Sequence, residues 1–458
     1  MRAASSRHIE DPLIPTEWVE KEVAVVGLGR TGVAVGEWLA DRGARVYASD
    51  AADRPDLAAA AERLRAKSIA VDLGTHDLER IGAAAAVVVS PGVPPTAAPL
   101  VVARQSGIPI VAELDLAARA LAGTRMVVVT GTNGKTTTTA LTAHLLQSGG
   151  IEAAAAGNIG RPLIELAAAT NLDWVVVEAS SFQLHDAPNL APNVGVLTNL
   201  APDHLDRYDS LESYYADKKR LFQHGTDESV WILNGDDEAV ESLVGETSGE
   251  RHRWSIRGRA DAWWDRSSGD LMLGSDPLVE RSRLSLLGDH NVENALAAIL
   301  AAVAAGLETS GIPAALETFQ PLAHRLEPVR EVGRVLWIND SKATNVASTA
   351  VGVSAMDRPF VLLVGGREKG EDFRRLISHL QGCRAVVAFG EAAEQFRRDM
   401  GAAVDLRVVS SLDDAVTLAQ ATAAEGEAVL LSPACASFDQ FRDFEQRGNS
   451  FKRMVAEL

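Results

Sequence analysis

A glycine turn followed by lysine and threonine handles phosphate, and the chain has one at Gly131-Thr132-Asn133-Gly134-Lys135-Thr136. An apolar strand from Arg125 leads into the turn, and a helical pattern leaves it, stopped by Gly149-Gly150. Backbone N–H groups at such a turn and at the following helix N-terminus point at an anion. Lys135 would reach the β/γ-phosphates of a nucleotide, and the Thr136 hydroxyl would sit on magnesium. The spacing departs from the usual phosphate-loop pattern at one place, where Val129 stands instead of a glycine. A second glycine turn, Gly27-Leu-Gly29-Arg30-Thr31-Gly32, follows the strand Val23–Val26, and Asp50 ends the next strand. Alone, that spacing leaves open a dinucleotide, a plain phosphate or a packing role. Together, the two turns fit an enzyme that uses ATP to join a nucleotide-tagged substrate to something else.

Moving a phosphoryl group onto a carboxylate crowds negative charge, which metal ions and fixed cations offset. Glu178 ends a strand as a metal-holding acid would, and His204 lies in the acid-flanked loop Asp203-His204-Leu-Asp206. Lys218-Lys219-Arg220 lies in an amphipathic stretch and, on pattern alone, reads as a solvated face. Asp340, Lys342, Lys369 and Ser437 fall at or just after the exits of apolar strands, where parallel sheets bind ligands.

The elements that must hold these residues read as α/β throughout. The expectation is three domains: a Rossmann-like N-terminal domain over 1–113, a central P-loop ATPase-like domain over 114–321, and a Rossmann-like C-terminal domain over 322–458. In the first, Val33 to Arg42 reads as a helix, and Arg45 to Ser49 and Ala83 to Val89 as strands. In the second, the Trp/Arg-rich stretch Arg251–Glu280 reads as antiparallel or loop. In the third, four strands are legible, at Val335–Ile338, Val361–Val364, Ala385–Phe389 and Val429–Leu431. The 458 residues are 47% hydrophobic and 23% charged, ordinary for a folded soluble chain. A net charge of −18 argues against nucleic acid or an anionic membrane as partner. Two cysteines cannot build a disulfide framework or a zinc cluster. The expectation is a cytoplasmic enzyme and a monomer.

Further motifs carry a resemblance. The chain has Glu178-Ala-Ser180-Ser181-Phe182-Gln183-Leu184, Asp203-His204-Leu205-Asp206, Tyr214-Tyr-Ala-Asp-Lys218 and His290-Asn291-Val-Glu-Asn294. With the Thr-Gly-Thr-Asn-Gly-Lys-Thr turn, these resemble the Mur ligases, the ATP-dependent amino-acid ligases of peptidoglycan precursor synthesis, over nearly the full length. Ser90-Pro-Gly92, His324-Arg325-Leu-Glu327, Asn339-Asp340-Ser-Lys342-Ala-Thr344 and Ser432-Pro-Ala-Cys-Ala-Ser437-Phe438 resemble the members that add glutamate.

The resemblance implies ATP, two magnesium ions and a carbamylated lysine, with UDP-N-acetylmuramoyl-L-alanine and D-glutamate as substrates; the handedness of the glutamate stays open, L-glutamate being the alternative. It implies that Gly29, Arg30, Thr31, Asp50, Ser90, Gly92 and Asn158 hold the UDP-substrate. Gly131 to Thr137, Asn291, Asn294, Arg325 and Asp340 would bind ATP. Thr136, Glu178, His204 and Lys218, as its carbamate, would hold metal. Lys342, Thr344, Lys369, Ser437, Phe438 and Phe444 would line the amino-acid pocket. Lys135, His204, Lys218 and Arg325 would carry the catalysis.

Overall fold

The computed structural model describes residues 14–168, 171–203 and 208–458. It divides into two compact units. One runs to Leu278 and includes Asn294–Ala315; the other comprises Val279–Glu293 and Leu316–Leu458.

The first unit opens with five parallel strands, β1 (Glu22–Val26), β2 (Arg45–Asp50), β3 (Ala70–Leu73), β4 (Ala86–Val89) and β5 (Ile110–Ala112). Their order is β3-β2-β1-β4-β5. The runs Val-Ala-Val-Val and Ala-Val-Val-Val are buried throughout, as a parallel sheet covered on both faces requires. The chain winds outward from β1 to β3 and returns at β4, so β1 and β4 flank the point where strand order reverses. The Gly27 turn leaves β1 there and Ser90-Pro91-Gly92 leaves β4, which puts both at the crevice such a reversal opens.

The central sheet holds β6 (Arg125–Thr130), β7 (Ala153–Gly157), β8 (Trp174–Glu178), β9 (Val194–Leu197), β10 (Val230–Asn234), β11 (Glu250–Ser255), β12 (Ala262–Asp265), β13 (Asp270–Leu273) and β14 (Asp276–Glu280). Its order is β14-β13-β12-β11-β10-β9-β6-β8-β7. Because β6 lies between β8 and β9, the phosphate turn, Glu178 and Thr198-Asn199 all leave the same sheet edge side by side.

The second unit holds β15 (Glu327–Val332), β16 (Val335–Asn339), β17 (Phe360–Gly365), β18 (Cys383–Phe389), β19 (Leu406–Val408) and β20 (Ala428–Leu431), in the order β15-β16-β20-β17-β18-β19. All pairs but β15–β16 are parallel.

Several expectations shift. The helix expected from Val33 spans Arg30–Ala40, because Gly29 caps it and the glycine turn feeds straight into it. The strand expected from Ala83 begins at Ala86, since Ala83 and Ala84 close the helical turn Leu78–Gly82. Within Arg251–Glu280, β11 pairs parallel with both β10 and β12, and the antiparallel reading holds for β12–β13. β15 and β19 lack the apolar runs of the strands they flank and escape a reading based on hydrophobic runs.

Candidate active site

The glycine turn after β1 is tight for steric reasons. Gly27 has φ +91°, and a Cβ on Gly32 would collide with the Gly27 carbonyl. Ser90 Oγ donates to that carbonyl at 2.7 Å. Both Asp50 oxygens accept backbone N–H groups, from Leu28 at 2.7 Å and from Ala52 at 2.9 Å. The carboxylate thus holds the turn and the strand exit together. These residues wall a cavity of about 600 Å³. All seven residues expected at the UDP-substrate line it: Gly29, Arg30, Thr31, Asp50, Ser90, Gly92 and Asn158. Two residues not singled out for this role, His76 and Gln183, line it as well, and His76 Nδ1 lies 2.9 Å from Ser49 Oγ. Arg30 Nη1 donates across to the Gly160 carbonyl at 3.4 Å, bridging the first sheet's turn and the central sheet's loop.

At the phosphate turn, Gly131 has φ +141° and a Cβ there would strike Thr198 Oγ1; Gly134 has φ +83° and its Cβ would strike Asn294 Oδ1. Gly134 caps the helix Lys135–Ser148, whose N-terminus faces the turn. The neighbouring strand exit braces it. Thr198 Oγ1 donates to the Asn133 carbonyl at 2.6 Å, and Asn133 N donates to Asn199 Oδ1 at 2.9 Å. The position of Thr198 and Asn199 at the exit of an apolar run was the available signal for them. The Thr132 hydroxyl donates to Ala201 O and lies 3.3 Å from Tyr214 Oη. Lys135 Nζ reaches the Gly131 and Thr132 carbonyls at 3.0 and 2.8 Å.

Lys218 corrects the pattern reading. It is 1% exposed, not solvated, and its Nζ donates to the Gly131 carbonyl at 2.7 Å. The helix Leu211–Lys219, started by a Ser210–Ser213 capping box, turns it inward over the Tyr214 ring. Burial, then the positive charge of Lys135, push its pKa down to about 6 against the opposing pull of Asp203 and Asp217. At neutral pH the amine is therefore largely uncharged.

Glu178 is 2% exposed. One carboxylate oxygen accepts Asn158 Nδ2 at 3.0 Å; the other is buried with no hydrogen-bond partner. An orphaned buried carboxylate oxygen is costly unless a cation meets it. That fits magnesium, which takes one or two carboxylates, keeps waters and completes its shell on phosphate. Among the described residues no cluster of three His, Cys, Asp or Glu side chains could hold a metal alone. His204 lies outside the described residues. Thr136 and Thr137 begin the phosphate helix. Asn294 Oδ1 accepts Thr138 Oγ1 at 3.3 Å, so it sits against that helix. Asn291 Nδ2 donates to the Leu287 carbonyl at 2.7 Å.

In the second unit, Lys342, Thr344, Lys369 and Phe444 converge. Lys369 Nζ is 3.4 Å from Thr344 Oγ1, and Lys342 Nζ lies 5.4 Å from the Phe444 ring centroid. Ser437 is buried in the loop after β20. Phe438 is 62% exposed, unlike Phe444, whose ring meets His324 edge-on. Asp340 is buried, with Oδ2 accepting Ser432 Oγ at 2.7 Å and Oδ1 accepting Leu326 N at 3.2 Å. Burial pushes its pKa up to about 7, and Arg325 nearby opposes that. Among the described residues no helix is long and apolar enough to cross a membrane.

Three largely parallel α/β sheets, a glycine turn lining a cavity and a lysine-bearing phosphate turn belong to nucleotide-using α/β proteins, and this chain belongs to the Mur ligase family. Residues 21–112 match the Mur ligase MurD-like N-terminal domain, 129–302 the Mur ligase middle domain, and 324–435 the Mur ligase glutamate ligase domain. The chain is 40% identical to a UDP-N-acetylmuramoylalanine–D-glutamate ligase of Acidobacterium capsulatum, over 95% of this chain and 96% of that one. It is 39% identical to the enzyme of that name from Geotalea uraniireducens, over 96% and 98%. Among solved structures, a UDP-N-acetylmuramate–alanine ligase of Thermotoga maritima shares the fold, with TM-score 0.63, 18% identity and coverage of 95% of this chain and 99% of that one. A pseudomurein peptide ligase of Methanothermus fervidus does so with TM-score 0.56, 20% identity and coverage of 95% and 99%.

Proposed function

We propose that this chain is an ATP-dependent ligase that joins D-glutamate to UDP-N-acetylmuramoyl-L-alanine in peptidoglycan precursor synthesis, in the cytoplasm. One observation carries the reading. Asn158 lines the cavity of the first glycine turn and also donates to Glu178, beside the phosphate turn. A single side chain therefore links the cavity suited to a nucleotide-tagged substrate with the site suited to ATP. A dehydrogenase or a regulatory NTPase has no use for that link.

The proposed route runs through an acyl phosphate. A carboxylate oxygen of the L-alanine arm attacks the γ-phosphorus of ATP, and ADP leaves. Lys135 offsets the charge that grows on the transferred group. The glutamate amine then attacks the acyl carbon, loses a proton, and inorganic phosphate departs as the amide forms. Asn158 holds the alanine arm toward Glu178. Lys342 and Lys369 suit an acceptor with two carboxylates. Glu178, Thr136 and a carbamylated Lys218 would hold two magnesium ions, which when bound would neutralise phosphate charge. Carbon dioxide adds only to a neutral amine, and the Lys218 amine is buried beside Lys135 at the Gly131 carbonyl.

The test is phosphate release from ATP with the UDP-substrate and, in turn, D-glutamate, L-glutamate, L-lysine or diaminopimelate. Release should require both the UDP-substrate and D-glutamate. Good turnover with another amino acid and none with D-glutamate would overturn the acceptor assignment. Steady hydrolysis without any amine would overturn the ligase reading.

A further inference from the structure

Arg447 is 0% exposed, the most deeply buried arginine of the second unit, and it has no acidic partner within 4 Å among the described residues. Its guanidinium instead meets neutral oxygens from three different loops. Nε donates to Ser341 Oγ at 3.0 Å and Nη2 to the Ser341 carbonyl at 2.9 Å. Nη1 donates to the Cys435 carbonyl at 3.0 Å and to the Gly365 carbonyl at 3.3 Å. Ser341 follows β16, Gly365 ends β17 and Cys435 follows β20, the three adjacent strands at the middle of this sheet. Each loop carries a residue of the proposed acceptor pocket: Lys342 is next to Ser341, Lys369 follows Gly365-Gly366, and Ser437 is two residues after Cys435.

Other contacts close the same knot. The Ser341 hydroxyl, which accepts from Arg447, donates to the Phe444 carbonyl at 2.8 Å. Arg367 and Ala436 exchange backbone hydrogen bonds at 2.8 and 3.0 Å, stitching the second loop to the third. Gly366 has φ +124°, and a Cβ there would collide with the Ala436 carbonyl and stand 3.1 Å from Arg447 Nη1. A rigid planar fork with several donors fixes the spacing of its acceptors in a way a flexible ammonium does not.

We propose that Arg447 is a positioning residue for the acceptor amino acid: its fork sets the mutual placement of the loops that carry Lys342, Lys369 and Ser437. It touches no reacting atom and acts through those loops. Burial lowers its pKa to about 10, so the side chain stays cationic at neutral pH, with carbonyl dipoles and the Ser341 hydroxyl as its hydrogen-bond partners. The inference rests on the acceptor pocket of the proposed function, but not on the identity of the amino acid.

The experiment compares Arg447→Lys, Arg447→Met and, as a structural control on the same helix, Phe451→Leu, whose side chain is buried against Trp337. Steady-state constants are measured for all three substrates, with thermal melting of each protein. Arg447→Lys keeps a charge but loses the fork. It should raise KM for the acceptor at least about tenfold while KM for ATP and for the UDP-substrate stays within about twofold. Arg447→Met should go further in the same direction. Phe451→Leu should lower the melting temperature and leave every KM unchanged. An Arg447→Lys enzyme that melts lower but has a wild-type acceptor KM would overturn the proposal, since packing alone would then explain Arg447. So would equal rises in all three KM values. If Arg447→Met does not fold, Arg447→Lys decides. If the wild type proves to use an acceptor other than D-glutamate, the same split is read with that amino acid. The substrate assignment then fails while the positioning claim stands or falls by itself.

Discussion

The two glycine turns of the first unit share a plan and differ in charge. Each leaves a parallel strand, needs at least one glycine at positive φ and opens a helix. At the Gly27 turn, the Leu28 N–H is taken by a carboxylate, that of Asp50, and Ser90 takes the carbonyl. At the Gly131 turn, the Asn133 N–H is taken by a neutral amide, and two lysines, Lys135 and Lys218, converge on the Gly131 carbonyl. An anionic group in the first cradle opposes a phosphate at that N–H, whereas the Lys135 ammonium in the second invites a polyphosphate. The glycine spacing therefore describes backbone shape alone. What each turn binds depends on side chains that, Lys135 apart, arrive from 22 to 87 residues away.

The harshest test of that contrast removes the two lysines. Lys135→Ala should cut kcat by about 10³-fold, the scale for a fixed charge on a transferring phosphoryl group. Lys218→Ala should do as much, and short carboxylates in the buffer should restore part of the activity. Stopped-assay rates with and without added formate or acetate read this out. Full activity in Lys218→Ala would remove that lysine from the chemistry and leave the second turn distinguished by Lys135 alone.

A smaller effect is expected at the first turn. Asp50→Asn keeps one acceptor but sets an amide N–H₂ against a backbone donor, a loss of about 1–2 kcal/mol. KM for the UDP-substrate should rise about tenfold with KM for ATP unchanged. A fall in the UDP-substrate KM would mean that the carboxylate chiefly repels phosphate, and that both turns cradle anions the same way once the charge is gone.

Lys218 shows how far the sequence could be read. The α/β class, the strand–turn–helix units and both glycine turns were legible because period and glycine placement are local signals. The seven residues expected around the UDP-substrate do line one cavity. Lys218, in Lys218-Lys219-Arg220, looked like a solvated face, and only resemblance to a family singled it out. Its burial depends on a helix packing back over a turn 87 residues earlier. Arg447 had no signal at all, since its acceptors lie 106, 82 and 12 residues away. The edge strands β15 and β19 were lost because they are short or polar, and what holds them is a neighbour's ladder, not their own pattern.

The smallest effect concerns how the cavity's far wall is held. Glu113 begins the helix Glu113–Ala120 that links the two sheets of the first unit, and it is 2% exposed. Its Oε1 accepts Ile164 N at 2.7 Å, and Leu163 N bonds it too, at the start of the 3-10 turn that follows the cavity-lining residues Asn158, Gly160 and Pro162. Burial pushes its pKa up to about 7, the two backbone donors oppose this, and the charge of Glu165 adds to it. An unfolded glutamate titrates near 4.5. Between that value and about 7 the folded chain holds a proton that the unfolded chain has lost, so this group's contribution to stability falls as pH rises through that window and is flat above it. Glu113→Gln keeps an acceptor for Ile164 N and removes the titration. The variant should match wild type within about 1 kcal/mol at pH 5 and be more stable by on the order of 2 kcal/mol at pH 8. Urea unfolding at both pH values measures the difference. Parallel pH slopes in the two proteins would show that the wall is held by a charged carboxylate, as the Gly27 turn is, and would make Asp50 and Glu113 two instances of one device.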